Sequence, residues 1–128
     1  MPLIVSGAYL LWVCWLFFNG VAGKSITDTS RTNISQKTMV NTMISGSVSS
    51  LVVFFLHPYF MRNVEKIYNY NPVYIVNGLL SGLVAITASC NNVRNEFAFV
   101  IGFIGGLWYI AADFFMQKLK IDDPVGAS

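Results

Sequence analysis

The sequence predicts an all-α integral membrane protein, with four transmembrane helices in a single membrane domain over residues 1–128. The composition is 55% hydrophobic and only 11% charged, whereas a soluble domain carries about 25% charged residues. The apolar residues also fall into separate runs, each close to the length of about 20 residues that a helix needs to cross a bilayer. These runs lie near 3–23, 38–61, 72–90 and 96–118.

The first run, residues 3–23, contains no charged residue and is rich in aromatic side chains. A secretory signal peptide is the competing interpretation. No basic residue precedes the run, however, and the run exceeds the usual apolar core of about 7–15 residues. We therefore expect a true first transmembrane helix. Cys14 lies in this run and Cys90 in the third, so both are expected to be small core residues rather than a disulfide or metal pair.

The second run is flanked by polar segments, 24–37 and 62–71, which are expected to be loops outside the bilayer. Its first half contains Ser, Thr, Asn and Gly, which we expect to face other helices and to hydrogen-bond across the contacts. The histidine of the chain, His57, stands immediately before Pro58. Because proline disfavours helix at the residue before it, we expect a helix end or a kink there, with His57 at the membrane interface.

The third and fourth runs each carry two glycines four residues apart. Glycine is common in membrane helices, which is one explanation for the pattern. Its recurrence in both runs favours real packing faces, because small residues allow two helix backbones to approach closely. We expect the two runs to form a tight antiparallel hairpin through these helix-packing residues. They are Gly78, Gly82, Gly102 and Gly106.

Asp113 lies near the end of the fourth run, and Lys118 follows it in the charged tail. An acidic residue inside a membrane helix is a functional-site hypothesis by default, because a charge in the bilayer is costly. The tail begins only about one and a half helical turns later. We therefore expect a near-surface acid that pairs with Lys or Arg.

The sequence shows no Ser-His-Asp set, no phosphate-binding glycine loop and no metal-ligand cluster. We therefore expect that the protein is not an enzyme and that it binds no cofactor or metal. A net charge of +2 is too small to indicate a nucleic-acid partner. The positive-inside rule does not orient the chain, because Lys and Arg divide equally between the two predicted faces of the membrane.

Four segments resemble the ammonium transporter (Amt/Mep/Rh) family. Trp15-Leu16-Phe17-Phe18-Asn19-Gly20 is similar to the family's W-F-x-F-N-x-G-S segment in the sixth helix. Val40-Asn41-Thr42 resembles the start of the seventh helix, and SGLVAITASC, which ends at Cys90, is similar to the family's S-G-x-x-A-G-L-V-x-I-T-P-x-C run in the eighth. The ending KIDDP matches the link between the ninth and tenth helices. The order is kept over nearly the whole chain.

The resemblance implies a truncated ammonium-transporter-like bundle, equivalent to the central four helices of an eleven-helix subunit. That family forms trimers in which each subunit has a narrow pore for ammonium or ammonia. By resemblance, Trp15 lies below the outer vestibule and Phe18 matches one of two gating phenylalanines. Ala22 replaces a serine that helps to hold ammonium at the outer site. The two pore histidines of the family belong to its fifth and tenth helices and are absent here.

Taken together, these features predict a non-conducting accessory or structural subunit of a larger membrane complex, derived from an ammonium transporter. Its expected partners are other membrane protein subunits and lipids. One alternative is part of a split ammonium transporter or channel that partner chains complete, and another is an incomplete gene product. A further hypothesis places the chain in an energy-transducing assembly of the mitochondrial inner membrane, such as a respiratory complex, because such assemblies recruit small membrane subunits.

Overall fold

A computed structural model of the protein describes residues 2–22, 29–65 and 71–119, with side-chain environments for 2–21, 34–60 and 71–119. The predicted all-α class is confirmed. The helices are α1 (Pro2–Ala22), α2 (Thr29–Glu65), α3 (Pro72–Thr87) and α4 (Asn95–Leu119).

Three of these helices contain spans that are long and apolar enough to cross a membrane: Pro2–Val21, Ile34–Phe60 and Asn95–Leu119. The helix α3 is also apolar but has only 16 residues. At 1.5 Å per residue it is about 24 Å long, against about 30 Å for the hydrocarbon core of a bilayer. The turn that follows α3 must therefore lie close to the membrane surface or within its outer layer.

The helix α2 lies at the centre of the bundle. It packs against α1, α3 and α4, while α1 also packs against α3, and α3 against α4. Within the described residues, α1 and α4 make no contact with each other. The arrangement follows from the composition of α2, because its Ser, Thr and Gly residues leave room for neighbouring helices to approach from several sides.

The prediction that 24–37 is entirely a loop is wrong, because α2 already begins at Thr29. One polar side chain of this segment, Ser35, is buried in the bundle, and so is Thr38 directly after the segment. Thr38 is fully buried, and its Oγ1 donates a hydrogen bond to the Ile34 carbonyl at 2.7 Å. A hydroxyl that bonds to the preceding helical turn needs no water, so the helix can continue through a stretch that the composition alone suggests is a loop.

Of the two alternatives expected at His57, a helix end is excluded, since α2 continues through Pro58 to Glu65, and a kink stays a prediction. Both His57 and Pro58 are buried. Proline is tolerated within membrane helices when neighbouring helices hold the interrupted segment in place. Here the side chain of His57 contacts both α3 and α4, which keeps α2 packed on each side of the proline.

The ends of α3 are defined by local hydrogen bonds. Asn71 is its N-cap, and the Asn71 side chain accepts a hydrogen bond from the Val73 amide at 3.1 Å, with Pro72 in the first turn. The helix ends at Thr87, earlier than the predicted 90, because the Ser89 amide donates to the Ile86 carbonyl in a tight turn. This turn leads directly into α4.

The distribution of side chains is the reverse of that in a water-soluble protein. Large apolar residues such as Leu10, Phe55 and Trp108 are exposed on the outside of the bundle. Several small polar residues are buried between the helices. This pattern suits a hydrocarbon environment, in which apolar side chains face lipid and polar side chains must be satisfied within the protein.

Candidate functional site

A row of polar side chains follows the buried face of α2. We call it the polar seam, and its members are Thr38, Asn41, Thr42, Ser45 and Ser49. They recur every three or four residues, which is the spacing of a single helix face. All of them are completely buried, as residues of these types seldom are in soluble proteins. The seam is therefore the candidate functional site.

Two hydroxyls of the polar seam bond to main-chain carbonyls of α3. Ser45 Oγ donates to the Gly82 carbonyl at 2.8 Å, and Ser49 Oγ donates to the Gly78 carbonyl at 2.6 Å. Because these two acceptor residues have no side chain, the serines reach the backbone of α3 directly. Hydrogen bonds of this kind hold helices together in lipid, where the hydrophobic effect between helices is weak.

Asn41 connects α2 to the turn between α3 and α4. Its Nδ2 donates to the Cys90 carbonyl at 2.9 Å and to the Val93 carbonyl at 3.0 Å. These carbonyls lie beyond the end of α3, where no helical partner exists for them. A single amide group therefore satisfies two main-chain acceptors of the turn and fixes the turn against α2.

Asn19 was not singled out as a site residue from the sequence, yet it links α1 to the polar seam. It is 1% exposed, and its Nδ2 donates to Thr42 Oγ1 at 3.1 Å. The sequence did contain a signal for this contact, because Asn19 is the one side-chain amide in the largely apolar helix α1. A buried amide in a membrane helix requires a partner on a neighbouring helix, and Thr42 supplies it.

The glycines singled out by their spacing lie where α3 and α4 approach the backbone of α2. A Cβ atom added to Gly82 would lie 2.5 Å from the Ser45 carbonyl oxygen. A Cβ atom added to Gly106 would lie 2.9 Å from the Ser49 carbonyl oxygen. The other two, Gly78 and Gly102, also face α2. The structure differs from the predicted hairpin in one respect. These four glycines contact α2, whereas the prediction had the glycines of α3 contact those of α4.

The direct contact between α3 and α4 is made by a glycine that the four-residue spacing did not select. Gly105 would place an added Cβ 3.2 Å from Ala85 Cβ and 3.6 Å from Gly82 Cα. Ser81 Oγ donates to the Gly105 carbonyl at 2.8 Å. The adjacent pair Gly105 and Gly106 lets α4 present one small residue to α3 and the next to α2, since neighbouring residues point about 100° apart on a helix.

The residues assigned pore-like roles by resemblance lie on α1. Trp15 Nε1 donates to Thr87 Oγ1 at 2.8 Å, which attaches α1 to the end of α3. Phe18 packs edge-on against Trp15 but is 64% exposed, and it lines an open groove together with Leu11, Cys14 and Trp15. Ala22 is the last residue of α1, and its side chain lies outside the described ones. The pore-like roles stay predictions.

The side chains of His57 and Asp113 are in hydrogen-bond contact between α2 and α4, with His57 Nε2 and Asp113 Oδ2 at 2.8 Å. One prediction is therefore wrong, because Asp113 contacts a histidine rather than Lys or Arg. The His57 side chain is 1% exposed and buried between helices, and its position at the membrane interface stays a prediction. Gln117 Nε2 also donates to Asp113 Oδ2, at 3.2 Å. Reasoning along one helix at a time missed the pair, because its members are distant in sequence.

The two cysteines differ in environment. Cys14 is exposed on α1, which contradicts the expectation of a core residue. Cys90 is buried in the turn after α3, as expected, and burial raises the pKa of its thiol above the usual value. The helix α1 contacts neighbours on one side only, so Cys14 on its other side remains uncovered. In the described residues, no group of three or more His, Cys, Asp or Glu side chains could hold a metal ion.

The whole chain, residues 1–128, matches the model of the Ammonium Transporter Family. The chain belongs to this family. The resemblance found in the sequence motifs is thereby confirmed, and the protein is a membrane protein derived from a transporter. No solved structure matches the chain significantly.

Individual relatives show the same relationship. The chain is 33% identical over 121 residues to an ammonium-transporter-like protein of Synechocystis sp., covering 94% of this chain and 26% of that protein. It is 33% identical over 134 residues to ammonium transporter 1 member 2 of Arabidopsis thaliana, covering 98% and 25%. It is 32% identical over 129 residues to ammonium transporter 3 of Dictyostelium discoideum, covering 98% and 28%. The chain thus spans about a quarter of the length of these relatives.

Proposed function

We propose that this chain is a non-enzymatic packing scaffold of an ammonium-transporter-type membrane assembly, and that it conducts no ammonium by itself. The polar seam carries this proposal. Asn41, Ser45 and Ser49 donate to main-chain carbonyls of the neighbouring α3 and the turn after it. The hydroxyls of Thr38 and Thr42 donate to carbonyls of α2 itself, so every side-chain donor of the seam is used within the bundle. A conducting path needs polar groups that face an opening and can exchange partners with the permeating species.

The outer surface supports a role within a larger assembly. The grooves between the described helices are open at the surface and lined mainly by apolar residues, such as Ile104 and Trp108 on α4. Helices of other membrane proteins and lipid acyl chains are the partners with matching chemistry. In this proposal the seam fixes the shape of the bundle, and the apolar faces of α1 and α4 provide the contacts to neighbours.

Reconstitution of the purified chain in liposomes tests the proposal. An ammonium gradient should produce no internal pH change beyond that of empty vesicles, while a full-length relative such as the Arabidopsis thaliana transporter in the same lipid serves as the positive control. Circular dichroism on the same vesicles establishes that the chain is helical. A clear ammonium flux through the chain alone that Phe18→Ala abolishes would contradict the proposal and establish conduction.

The second candidate function is participation in an ammonium-conducting assembly that further helices complete. The open aromatic groove on α1 favours it, because Trp15 is fixed by its hydrogen bond to Thr87 while Phe18 remains exposed beside it. A fixed aromatic wall with one uncovered face is suited to line a path whose other wall comes from another polypeptide.

Coexpression with the remaining helices of a relative tests this second candidate. If the groove becomes part of a path, Phe18→Ala should change ammonium flux through the completed assembly. Phe17→Ala is the matched control, because Phe17 is 61% exposed and Phe18 64%, yet Phe17 does not line the groove. Equal effects of the two substitutions, or an assembly without flux, would reject the conducting role.

The hypothesis of an energy-transducing host assembly is tested by purification in mild detergent. Mass spectrometry of subunits that copurify with the tagged chain should identify components of such a complex. Recovery of ammonium transporter helices instead would favour the second candidate function.

A further inference from the structure

A cluster of titratable side chains lies outside the polar seam, where α2, α3 and α4 meet. We propose that His57 and Asp113 form a buried proton-binding site, in which the bound proton makes His57 an imidazolium that clamps α2 to α4. The site is separate from the proposed scaffold role, which rests on the seam. Its ligand is a proton supplied from the water at the near membrane surface.

The geometry favours a charged imidazole ring. His57 Nε2 lies 2.8 Å from Asp113 Oδ2, and the His57 side chain is 2% exposed and the Asp113 side chain 11%. The His57 ring stacks on Tyr74 with centroids 4.0 Å apart and planes inclined by 29°. The electron-rich face of a tyrosine attracts a cation at this distance. A carboxylate at the edge of the ring and an aromatic face against its plane both stabilise the protonated form.

The charge balance of the site points in the same direction. The titratable groups that face His57 among the described residues are Tyr74 from α3, and Tyr109 and Asp113 from α4. The other contact of Asp113 is the uncharged amide of Gln117. With no proton on either group, the site would hold an isolated negative charge within membrane helices, whereas one bound proton makes it neutral overall. The proton is assigned to His57 because imidazole is a stronger base than a carboxylate and the Tyr74 face favours a cation. A buried pair without net charge is favoured over a single buried charge.

The site also has access to protons. His57 stands three residues before the end of the apolar span of α2 at Phe60, about 4.5 Å along the helix axis. Asp113 stands six residues before the end of α4 at Leu119, about 9 Å along the axis. Of the two side chains, Asp113 is the more exposed, at 11% against 2% for His57. A proton can therefore reach the pair without crossing the bundle.

Nitrogen NMR of the protein labelled with ¹⁵N-histidine tests the proposal, because the chain contains one histidine. In detergent near neutral pH, the wild-type spectrum should show two protonated ring nitrogens, the signature of imidazolium. Asp113→Asn should lose this signature and show one protonated and one bare nitrogen. Glu96→Gln is the matched control, because Glu96 lies on the same helix in an exposed pair with Arg94 and its substitution should leave the His57 spectrum unchanged.

The wild-type spectrum keeps the proposal testable if the Asp113 variant does not fold, because two protonated ring nitrogens in the wild-type protein support an imidazolium without reference to any variant. A neutral imidazole throughout the neutral range in the wild-type spectrum would overturn the proposal.

Discussion

At the scale of single residues, the bundle depends on glycines of α3 and α4 that pack directly against main-chain carbonyl oxygens of α2. Gly82 and Ser45 show this most clearly, because the glycine carbonyl accepts the serine hydroxyl while its Cα faces the serine carbonyl. The close helix contact and the hydrogen bond therefore both depend on Gly82 having no side chain. A larger residue would remove both together.

We expect Gly82→Ala to destabilise the bundle by about 1–3 kcal/mol, the range for overpacking a well-packed core. The added methyl would lie 2.5 Å from the Ser45 carbonyl oxygen. Gly7→Ala is the matched control on α1, since a Cβ there would meet nothing within 4 Å. Unfolding in mixed micelles measures both. Equal stability of the two variants would show that Gly82 is not a close contact.

The polar seam makes a second residue-scale prediction. Asn41→Ala should cost more stability than Ser45→Ala, because Asn41 satisfies two carbonyls and Ser45 satisfies one. Single side-chain hydrogen bonds between membrane helices contribute about 0.6 kcal/mol on average. Ser47→Ala, on the exposed side of the same helix, should have no measurable effect. The same unfolding assay ranks the three variants, and a loss for Ser47→Ala equal to that for Asn41→Ala would contradict the seam.

The sequence indicated which residues make helix contacts more reliably than it indicated the partner of each residue. The spacing of Gly82 and Gly106 indicated tight contacts, but the identity of the facing helix depends on how three helices cross. The contacts of His57 were missed for the same reason, since the argument from Pro58 concerns only α2. The partners of His57 lie on α3 and α4, at sequence distances that periodicity within one helix does not reach.

At the scale of elements, run lengths predicted α1, α3 and α4 to within a few residues. The helix α2 was the exception, at both ends. Hydropathy marks polar segments as loops because they favour water, whereas Ser35 and Thr38 are buried against other helices and continue the helix. A polar segment of a membrane protein can therefore be either a loop in water or a helix buried against other helices. The neighbouring helices determine which of the two forms.

Four membrane crossings place both chain ends on one side of the membrane, and we expect tags at the two ends to be labelled by an impermeant reagent from the same side. The prediction depends on whether the short helix α3 crosses the membrane, because a 16-residue helix can also turn back within the bilayer. A cysteine at exposed Asn92, in a background with Cys14 and Cys90 replaced, reports the turn after α3 separately. Labelling of the two ends from opposite sides would show an odd number of crossings.

At the scale of the whole molecule, the central helix α2 separates the two outer helices of the bundle. The helices α1 and α4 lie on different sides of α2 and do not contact each other within the described residues. Each leaves a broad apolar face uncovered, with Phe17 and Phe18 on one and Phe103 and Trp108 on the other. In the proposed assembly, helices of other subunits and lipid cover these faces.

We therefore expect the native particle in mild detergent to exceed the mass of a monomer or dimer of this chain, 14.2 kDa per copy. Light scattering coupled to size-exclusion chromatography, corrected for bound detergent, gives the protein mass. Crosslinking from a photoreactive residue at position 108 should capture the neighbour, while the same residue in place of the buried Tyr109 serves as an internal control. A folded species no larger than a dimer, without an unrelated partner, would defeat this expectation.

The central position of α2 has a consequence for biosynthesis. A ribosome delivers α2 before the two helices that accept its hydroxyls and enclose its backbone, so the newly made helix enters the membrane with Ser45 and Ser49 still unpaired. It should remain beside the insertion machinery until α3 emerges. Photocrosslinking of stalled nascent chains from position 47, on the exposed side of the same helix, can follow this, with the contact to the translocon ending once Gly82 has been inserted. Early release of α2 into lipid would show that the helix is stable there without its neighbours.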